Sequence, residues 1–370
     1  MNSEMRMTVD TLRNATNCAI SVAQFLLTSV SQRGRFLRRG FSICAVAACC
    51  VVSLRVEAKS IELPEMGYLF SYFYHQTAGD GLHLAWSRDG FAWEILGGDK
   101  SYLHPTVGEN KLMRDPCLFR GPDGVFRLVW TTSWAGKTIG YASSTDLIHW
   151  SEQQAIPVMT DEPNAKNCWA PEITYDEAKQ HYLIFWSTTI VGKFKETENS
   201  NRGPERNHRI YSTTTKDFVS FTPTRLHYDG GFNVIDATMA RNGSSWLMFV
   251  KNETLKPKTE KNIRMIRAET LDGPFSESSP AITGNYWAEG PSAIKVGDEW
   301  RVYFDKHEEN KYGVVVSRDL QHWDDLSERT SFPKNARHGT VMMVTRDVIE
   351  KLLLADPSAK SIPTSTPSSP

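Results

Sequence analysis

From Gly67 onward the chain is written in short runs, some alternating apolar and polar positions and some apolar throughout. Gly, Asn and Asp turns such as Gly121-Pro-Asp-Gly124 and Arg241-Asn-Gly243 separate them. A period of two puts successive side chains on opposite faces of a strand, so these runs predict a sheet protein. Helical spacing is confined to Arg346-Asp-Val-Ile-Glu-Lys-Leu-Leu-Leu354, which predicts a short closing helix.

Two patterns repeat within this background. The first is a strand ending in Ser or Thr, then Asp, then an aromatic, at residues 84–93, 141–150, 210–221, 266–275 and 314–323. Asp suits a tight turn because its carboxylate can bond the backbone two residues on; the aromatic then covers the space under a neighbouring sheet. The second is a polar, mostly acidic motif leading into an aromatic-rich strand. Met113-Arg-Asp-Pro-Cys-Leu-Phe119 precedes Phe126-Arg-Leu-Val-Trp130, and Cys168-Trp-Ala-Pro-Glu-Ile-Thr174 precedes Tyr182-Leu-Ile-Phe-Trp186. Val234-Ile-Asp-Ala-Thr-Met239 precedes Trp246-Leu-Met-Phe-Val250, and Tyr286-Trp-Ala-Glu-Gly-Pro-Ser292 precedes Val302-Tyr-Phe-Asp305. Arg337-His-Gly-Thr-Val341 is a weaker fifth copy. A period of roughly 50 to 70 residues matches one four-stranded blade. The predicted fold is therefore all-β, a five-bladed β-propeller. A jelly roll, the competing all-β architecture, does not call for five copies of one corner. The first corner has no acidic motif before it. Tyr68-Leu-Phe-Ser-Tyr-Phe-Tyr74 is therefore expected to share a blade with residues 337–341, N-terminal and C-terminal strands pairing so that no edge stays open.

The ends of the chain read differently. Residues 1–58 form a leader in which basic Arg33-Gly-Arg-Phe-Leu-Arg-Arg39 precedes a short apolar run from Phe41 to Leu54 and the small-residue pattern Val56-Glu-Ala58. This is the layout of a signal peptide, too short to span a bilayer, and it predicts an exported protein, periplasmic or extracellular. Arg38-Arg39 is a weak twin-arginine feature. The catalytic domain is expected at 59–356, and the Ser/Thr/Pro-rich tail 357–370 is expected to be disordered. Residues 191–207 are a polar insert, read as a surface loop that can reach the site. The 42 Lys and Arg balance the 43 Asp and Glu to a net charge of -1, which points away from nucleic acid and anionic membranes. Membrane insertion of the mature chain is not expected, and a monomer is. Only Cys117 and Cys168 of the six cysteines lie beyond the leader. They are read as small buried hydrophobes, with a disulfide as the alternative. No Cys/His spacing suggests zinc.

The innermost strands of a propeller run along its axis, so equivalent strand starts meet at one end of the channel. The motifs are expected to bring Asp115, Glu172, Asp236, Glu289 and His338 there. Carboxylates crowded into one funnel cannot all stay ionised, and some pKa values must rise. Hydrolysis of a glycosidic bond uses such groups, one acid to protonate the leaving oxygen and one base to activate water.

Arg114-Asp-Pro116, Trp169-Ala-Pro-Glu172, Ile235-Asp236, Glu289-Gly-Pro291 and His338-Gly339, in this order, resemble the motif series of glycoside hydrolase family 43 over about residues 66–354. The resemblance implies a five-bladed propeller and an inverting mechanism on arabinofuranosides or xylosides, with galactosides in some branches. Carried over by position, Asp115 resembles the general base, Asp236 the carboxylate that tunes the acid and Glu289 the general acid. Trp169 resembles a sugar-stacking residue, and His338 a histidine near the axis that in some members helps to hold a cation. No cofactor is required, although a structural calcium near the axis remains open. Arg114 and Glu172 are further substrate-binding candidates; Trp134, Trp287 and Arg337 are weaker ones. Glu172 and His338 could equally be structural, and Trp169 could pack a blade. Ala237 stands where the family often has Pro, Glu172 where Asp is common, and Cys117 replaces a small hydroxyl residue. The substrate branch therefore stays open. The alternatives are a carbohydrate-binding propeller without turnover and a related propeller hydrolase of algal sugars.

Overall fold

The computed structural model describes residues 63–199 and 203–355. The expected leader and tail lie outside them. In chain order the strands are β1 (Met66–Tyr74), β2 (His83–Ser87), β3 (Trp93–Ile95), β4 (Arg114–Arg120), β5 (Phe126–Thr131), β6 (Ile139–Ser144), β7 (Gln154–Ile156), β8 (Trp169–Asp176), β9 (His181–Thr189) and β10 (His208–Thr215). They continue with β11 (Arg225–Tyr228), β12 (Val234–Asn242), β13 (Ser245–Asn252), β14 (Asn262–Thr270), β15 (Gly273–Phe275), β16 (Glu289–Val296), β17 (Glu299–Lys306), β18 (Lys311–Ser317), β19 (Asp324–Asp325) and β20 (Ala336–Thr345). The one α-helix among the described residues, α1 (Arg346–Ala355), follows β20.

These strands form five four-stranded antiparallel sheets, the blades of a five-bladed β-propeller. Blade I is β20-β1-β2-β3, so the last strand supplies the innermost position of the first blade, as expected from the unpaired first corner. Blades II to V are β4–β7, β8–β11, β12–β15 and β16–β19. The inner strands β20, β4, β8, β12 and β16 pack side by side around the axis.

The apolar core is five clusters, each between two adjacent blades. Leu69 and Trp86 of blade I meet Leu118 and Trp130 of blade II, with Ile349 and Leu352 of α1 closing the base. Cys117 and Val129 meet Cys168, Ile184 and Trp186 across the next seam. Both cysteines are free and buried there. The corner residues serve these seams. Phe218 of blade III stacks on Tyr141 of blade II at 4.4 Å, and Phe275 of blade IV meets Tyr228 of blade III at 5.5 Å.

Four corners share one set of bonds. Asp89 Oδ1 accepts the amides of Phe91 and Ala92 at 2.7 and 3.0 Å, and Asp146, Asp217 and Asp319 do the same for their own followers. The residue after each Asp is left-handed, which places Leu147 (φ 65°) and Phe218 (φ 58°) down into the seam despite the strain such φ values carry. The fourth corner departs from the expectation. The Asp272 carboxylate pairs with Lys179 and Arg225, and Thr270 Oγ1 closes the turn on the Gly273 carbonyl at 2.6 Å.

Each inner strand also begins with a β-bulge, at Arg114/Cys117, Trp169/Glu172, Ile235/Thr238 and Glu289/Ser292, with a matching shift between β1 and β20. A bulge inserts one residue and re-aims the side chains around it. The inserted residues are left-handed: Asp115 (φ 51°), Ala170 (φ 46°), Asp236 (φ 52°) and Gly290 (φ 57°). This corrects the expected alignment. Asp115 and Asp236 are equivalent, but Glu289 stands one residue earlier in its bulge and Glu172 two residues later. Glu172 is thereby carried below the rim, into a layer with Cys117 and Thr238.

The bulges lock the ring. On three second strands the residue opposite the bulge reaches a backbone amide in the bulge of the next blade. Thr131 Oγ1 accepts the Ala170 amide at 2.8 Å, Ser187 Oγ accepts the Asp236 amide at 3.0 Å, and Asp305 Oδ2 accepts the His338 amide at 3.4 Å. Ser187→Ala is expected to strand the buried Asp236 amide and lower unfolding free energy by about 1–3 kcal/mol in chemical denaturation. An unchanged midpoint would remove this bond from the account of ring closure.

Candidate active site

The bulges surround a pocket of ≈ 350 Å³ at the rim of the channel, lined by Arg114, Asp115, Trp169, Asp236 and Glu289 among the expected residues. The larger cavity, ≈ 670 Å³, lies at the outer edge of blades II and III among Met159, Phe194 and Phe221, away from these carboxylates. His338 lies beneath the rim pocket, with Nδ1 3.4 Å from Asp115 Oδ1. Glu172 is deeper, its Oε2 accepting from Thr238 Oγ1 at 3.0 Å while the Cys117 thiol bonds the same carboxylate. Trp134 shares the pocket wall and is 48% exposed. Trp169 is more enclosed. It donates from Nε1 to the Trp134 carbonyl at 3.1 Å and lies 5.1 Å from the ring of His208.

Sequence reasoning missed Lys251, Lys261, Glu253, His307 and Arg206, while Arg337 had been a weaker candidate. Lys251 is fully enclosed and bridges Glu289 Oε2 and Glu253 Oε2, each at 2.7 Å. Lys261 pairs with the other oxygen of Glu253. His307 Nδ1 lies 2.8 Å from Glu289 Oε1, and Arg337 joins the group through Asp305 at 2.7 Å. One signal was available. Thr131, Ser187, Lys251 and Asp305 each face the first residue of a bulge, so a polar residue ending an otherwise apolar second strand marks the rim. Arg206 had no such signal. It arrives on the insert 191–207 and sits over the Trp169 ring at 4.9 Å. Buried Arg209 ties the insert to blade III through Asp229 at 2.5 Å and Thr197 at 2.9 Å.

The carboxylates sit in different fields. Burial raises the Asp115 pKa, but the His338 bond, the Arg114 charge and Thr131 Oγ1 (2.8 Å) together hold it below the usual carboxylate range. Burial also acts on Glu289, where Lys251 and His307 overcome it and keep the group ionised. Asp236 moves the other way, raised by burial and by the charges of Glu289 and Asp115 against the pull of His338 and Lys251. Its Oδ2 accepts the Gly290 amide at 3.1 Å, the one bulge amide met by a carboxylate from the preceding inner strand. Burial pushes Glu172 up to about 7. For His338 burial opposes the charge, but Asp115, Asp236 and Glu172 lift it to about 9. Among the described residues no three His, Cys, Asp or Glu side chains are grouped to hold a metal. No described helix is long and apolar enough to cross a membrane.

Chemically, the pocket offers carboxylates in contrasting fields and an aromatic wall. Residues 64–350 match the model of a family described as a probable glycosyl hydrolase domain, related to glycosyl hydrolase family 43. An alpha-L-arabinofuranosidase of Bifidobacterium longum subsp. longum is 24% identical over 287 residues, which cover 67% of this chain. The match spans only 27% of that protein's length. Among solved structures, an alpha-L-arabinofuranosidase from Lactobacillus brevis aligns at 14% identity and a TM-score of 0.47, over 58% of this chain and 72% of its own. A family 43 glycoside hydrolase from Bacillus licheniformis aligns at 17% identity and a TM-score of 0.46, over 62% and 45%.

The His338 contact gives a pH signature. Its folded pKa is raised, so its stabilisation is complete below about pH 6.5, the unfolded value, and is lost as pH rises through about 9. The excess stability of the wild type over His338→Gln, on the order of a few kcal/mol, is expected to shrink between about pH 6 and pH 10. Denaturant titrations at the two pH values measure it. An equal gap at both would mean that His338 is neutral.

Proposed function

The chain belongs to the glycosyl hydrolase 43-related family, and from that premise we propose that it hydrolyses O-glycosidic bonds at the end of an oligosaccharide by inversion. Arabinofuranosides and xylosides are the first candidates, and galactosides the next. The observation that carries this reading is that Asp115 and Glu289 enter one pocket from blades II and V, which are not adjacent. A sugar ring and a water can then lie between a base and an acid, as inversion requires.

In this reading Asp115, kept ionised by His338 and Thr131, takes a proton from water that attacks the anomeric carbon. Glu289 protonates the departing oxygen. Asp236, next to Glu289 around the ring, tunes it through their mutual repulsion, and Arg114 with the Trp134–Trp169 wall holds the sugar. In the unliganded protein Lys251 and His307 oppose the protonation of Glu289. The acid is therefore competent only on the acidic side of a limb set by these two cations. The relative named an alpha-L-arabinofuranosidase supports the pentoside choice.

Glu289→Gln and Asp115→Asn are each expected to cut kcat/KM on an aryl arabinofuranoside, xyloside or galactoside by roughly 10²–10⁴-fold, with the native circular dichroism spectrum retained. Full activity in both would end the assignment. Proton NMR of the first product reads the anomeric configuration, and retention would overturn the roles given to the two carboxylates. Lys251→Gln removes the charge that holds Glu289 ionised, so the basic limb of the kcat/KM profile should move to higher pH. A limb that stays in place would mean that another group is the acid.

A further inference from the structure

The cations lining the pocket are not all ion-paired. Lys251 and Lys261 are neutralised by Glu253 and Glu289, and Arg337 by Asp305. Asp115 has His338. Arg114 and Arg206 are left over. Among the described residues neither guanidinium has a carboxylate within ion-pair distance. Arg114 lies 4.0 Å over the Trp134 ring and donates to His75 Nδ1 at 3.0 Å. Burial and the neighbouring Arg114 charge lower the His75 pKa, which favours the neutral ring as acceptor; it supplies no counter-charge. Arg206 lies 4.9 Å over Trp169, whose ring meets Trp134 edge to face at 6.0 Å. Arg114, Trp134, Trp169 and Arg206 thus make one continuous strip of the pocket wall, apolar in the middle and cationic at both ends.

We propose that this strip is a subsite for an anionic substituent, a carboxylate or a sulfate ester carried on the sugar chain. The inference rests on the glycosidase reading and names its substrate class. A guanidinium spread over an indole face is pre-oriented, keeps donors free at its edge, and matches the planar fork of a carboxylate or the oxygens of a sulfate. A neutral sugar would leave both guanidiniums without a bonded anionic partner, whereas an anionic substituent supplies one at an end of the strip. The insert 191–207 then has a definite task. Buried Arg209 fixes it to blade III, and the turn Pro204–Arg206 presents the second cation to the rim. The shared chemistry is the negative charge, and the two sources are separated by experiment.

The test is calorimetric titration of the full chain carrying Glu289→Gln with two matched pairs. One is xylotriose against xylotriose bearing a glucuronic acid; the other is galactotriose against its sulfate ester. The expected result is that the charged member of one pair binds roughly tenfold tighter than its neutral partner. The ratio should narrow as salt rises from about 0.05 to 0.5 M. It should fall toward one in Arg206→Gln and be partly kept in Arg206→Lys. The pair that responds identifies carboxylate or sulfate. Equal affinities within both pairs, no binding of either charged probe, or a preference that survives combined Arg114→Gln and Arg206→Gln would each overturn it. Turnover is followed in parallel with Glu289 intact. Hydrolysis of neutral aryl glycosides without charge preference removes this inference and keeps the glycosidase reading. Charge preference without turnover of any substrate does the reverse.

Discussion

The rest of the molecule depends on a left-handed residue inserted where four of the five inner strands begin. A non-glycine residue held at positive φ costs roughly 1–3 kcal/mol and persists only where its surroundings over-determine it. Here the surroundings are the neighbouring blade. Thr131 and Ser187 each capture the amide of the next left-handed residue, and Asp305 does the same for His338. One bond therefore fixes the strained backbone, joins two blades and points a side chain at the axis. Thr131 shows the economy of the arrangement, since its hydroxyl also donates to the Asp115 carboxylate at 2.8 Å. The site and the ring are held by the same atoms.

Burying so many ionisable groups around one axis would be costly if they were unpaired. The rim avoids this by forming two separate networks. On one side Asp115 and His338 neutralise each other above the buried Glu172. On the other, Lys261, Glu253, Lys251, Glu289 and His307 alternate in sign, with Arg337 and Asp305 alongside. Asp236 lies between the two and feels both. Burial, with the charges of Glu289 and Asp115, raises its pKa against the pull of His338 and Lys251.

Much of the fold was legible because its signals are local. An Asp corner needs only its own following amides, so residues 84–93 and 314–323 could be read as equivalent from type and spacing. Closure of blade I followed from a missing motif. The site was less legible because a bulge changes which residue faces inward without changing residue type. Asp115 and Glu289 read correctly as rim groups, whereas Glu172, two places beyond its bulge, lies in the layer of Thr238 and Cys117. Partners that come from the opposite strand, such as Lys251, or from an insert, such as Arg206, depend on register and loop path. Neither has a periodicity to betray it. The fourth corner misled for a related reason. Asp272 has the expected type and spacing, but two cations from blade III claim its carboxylate.

The pairing of β20 with β1 brings two rim residues in from the far end of the chain. His338 and Arg337 both lie on β20, the last strand before α1. Until that strand docks, Asp115 lacks its histidine and Asp305 its arginine, and both carboxylates are free to stay hydrated. The pairs among Lys251, Lys261, Glu253, Glu289 and His307 lie within blades IV and V and do not need that strand. The last strand thus acts as a keystone, completing the ring and the remaining pairs of the rim in one step.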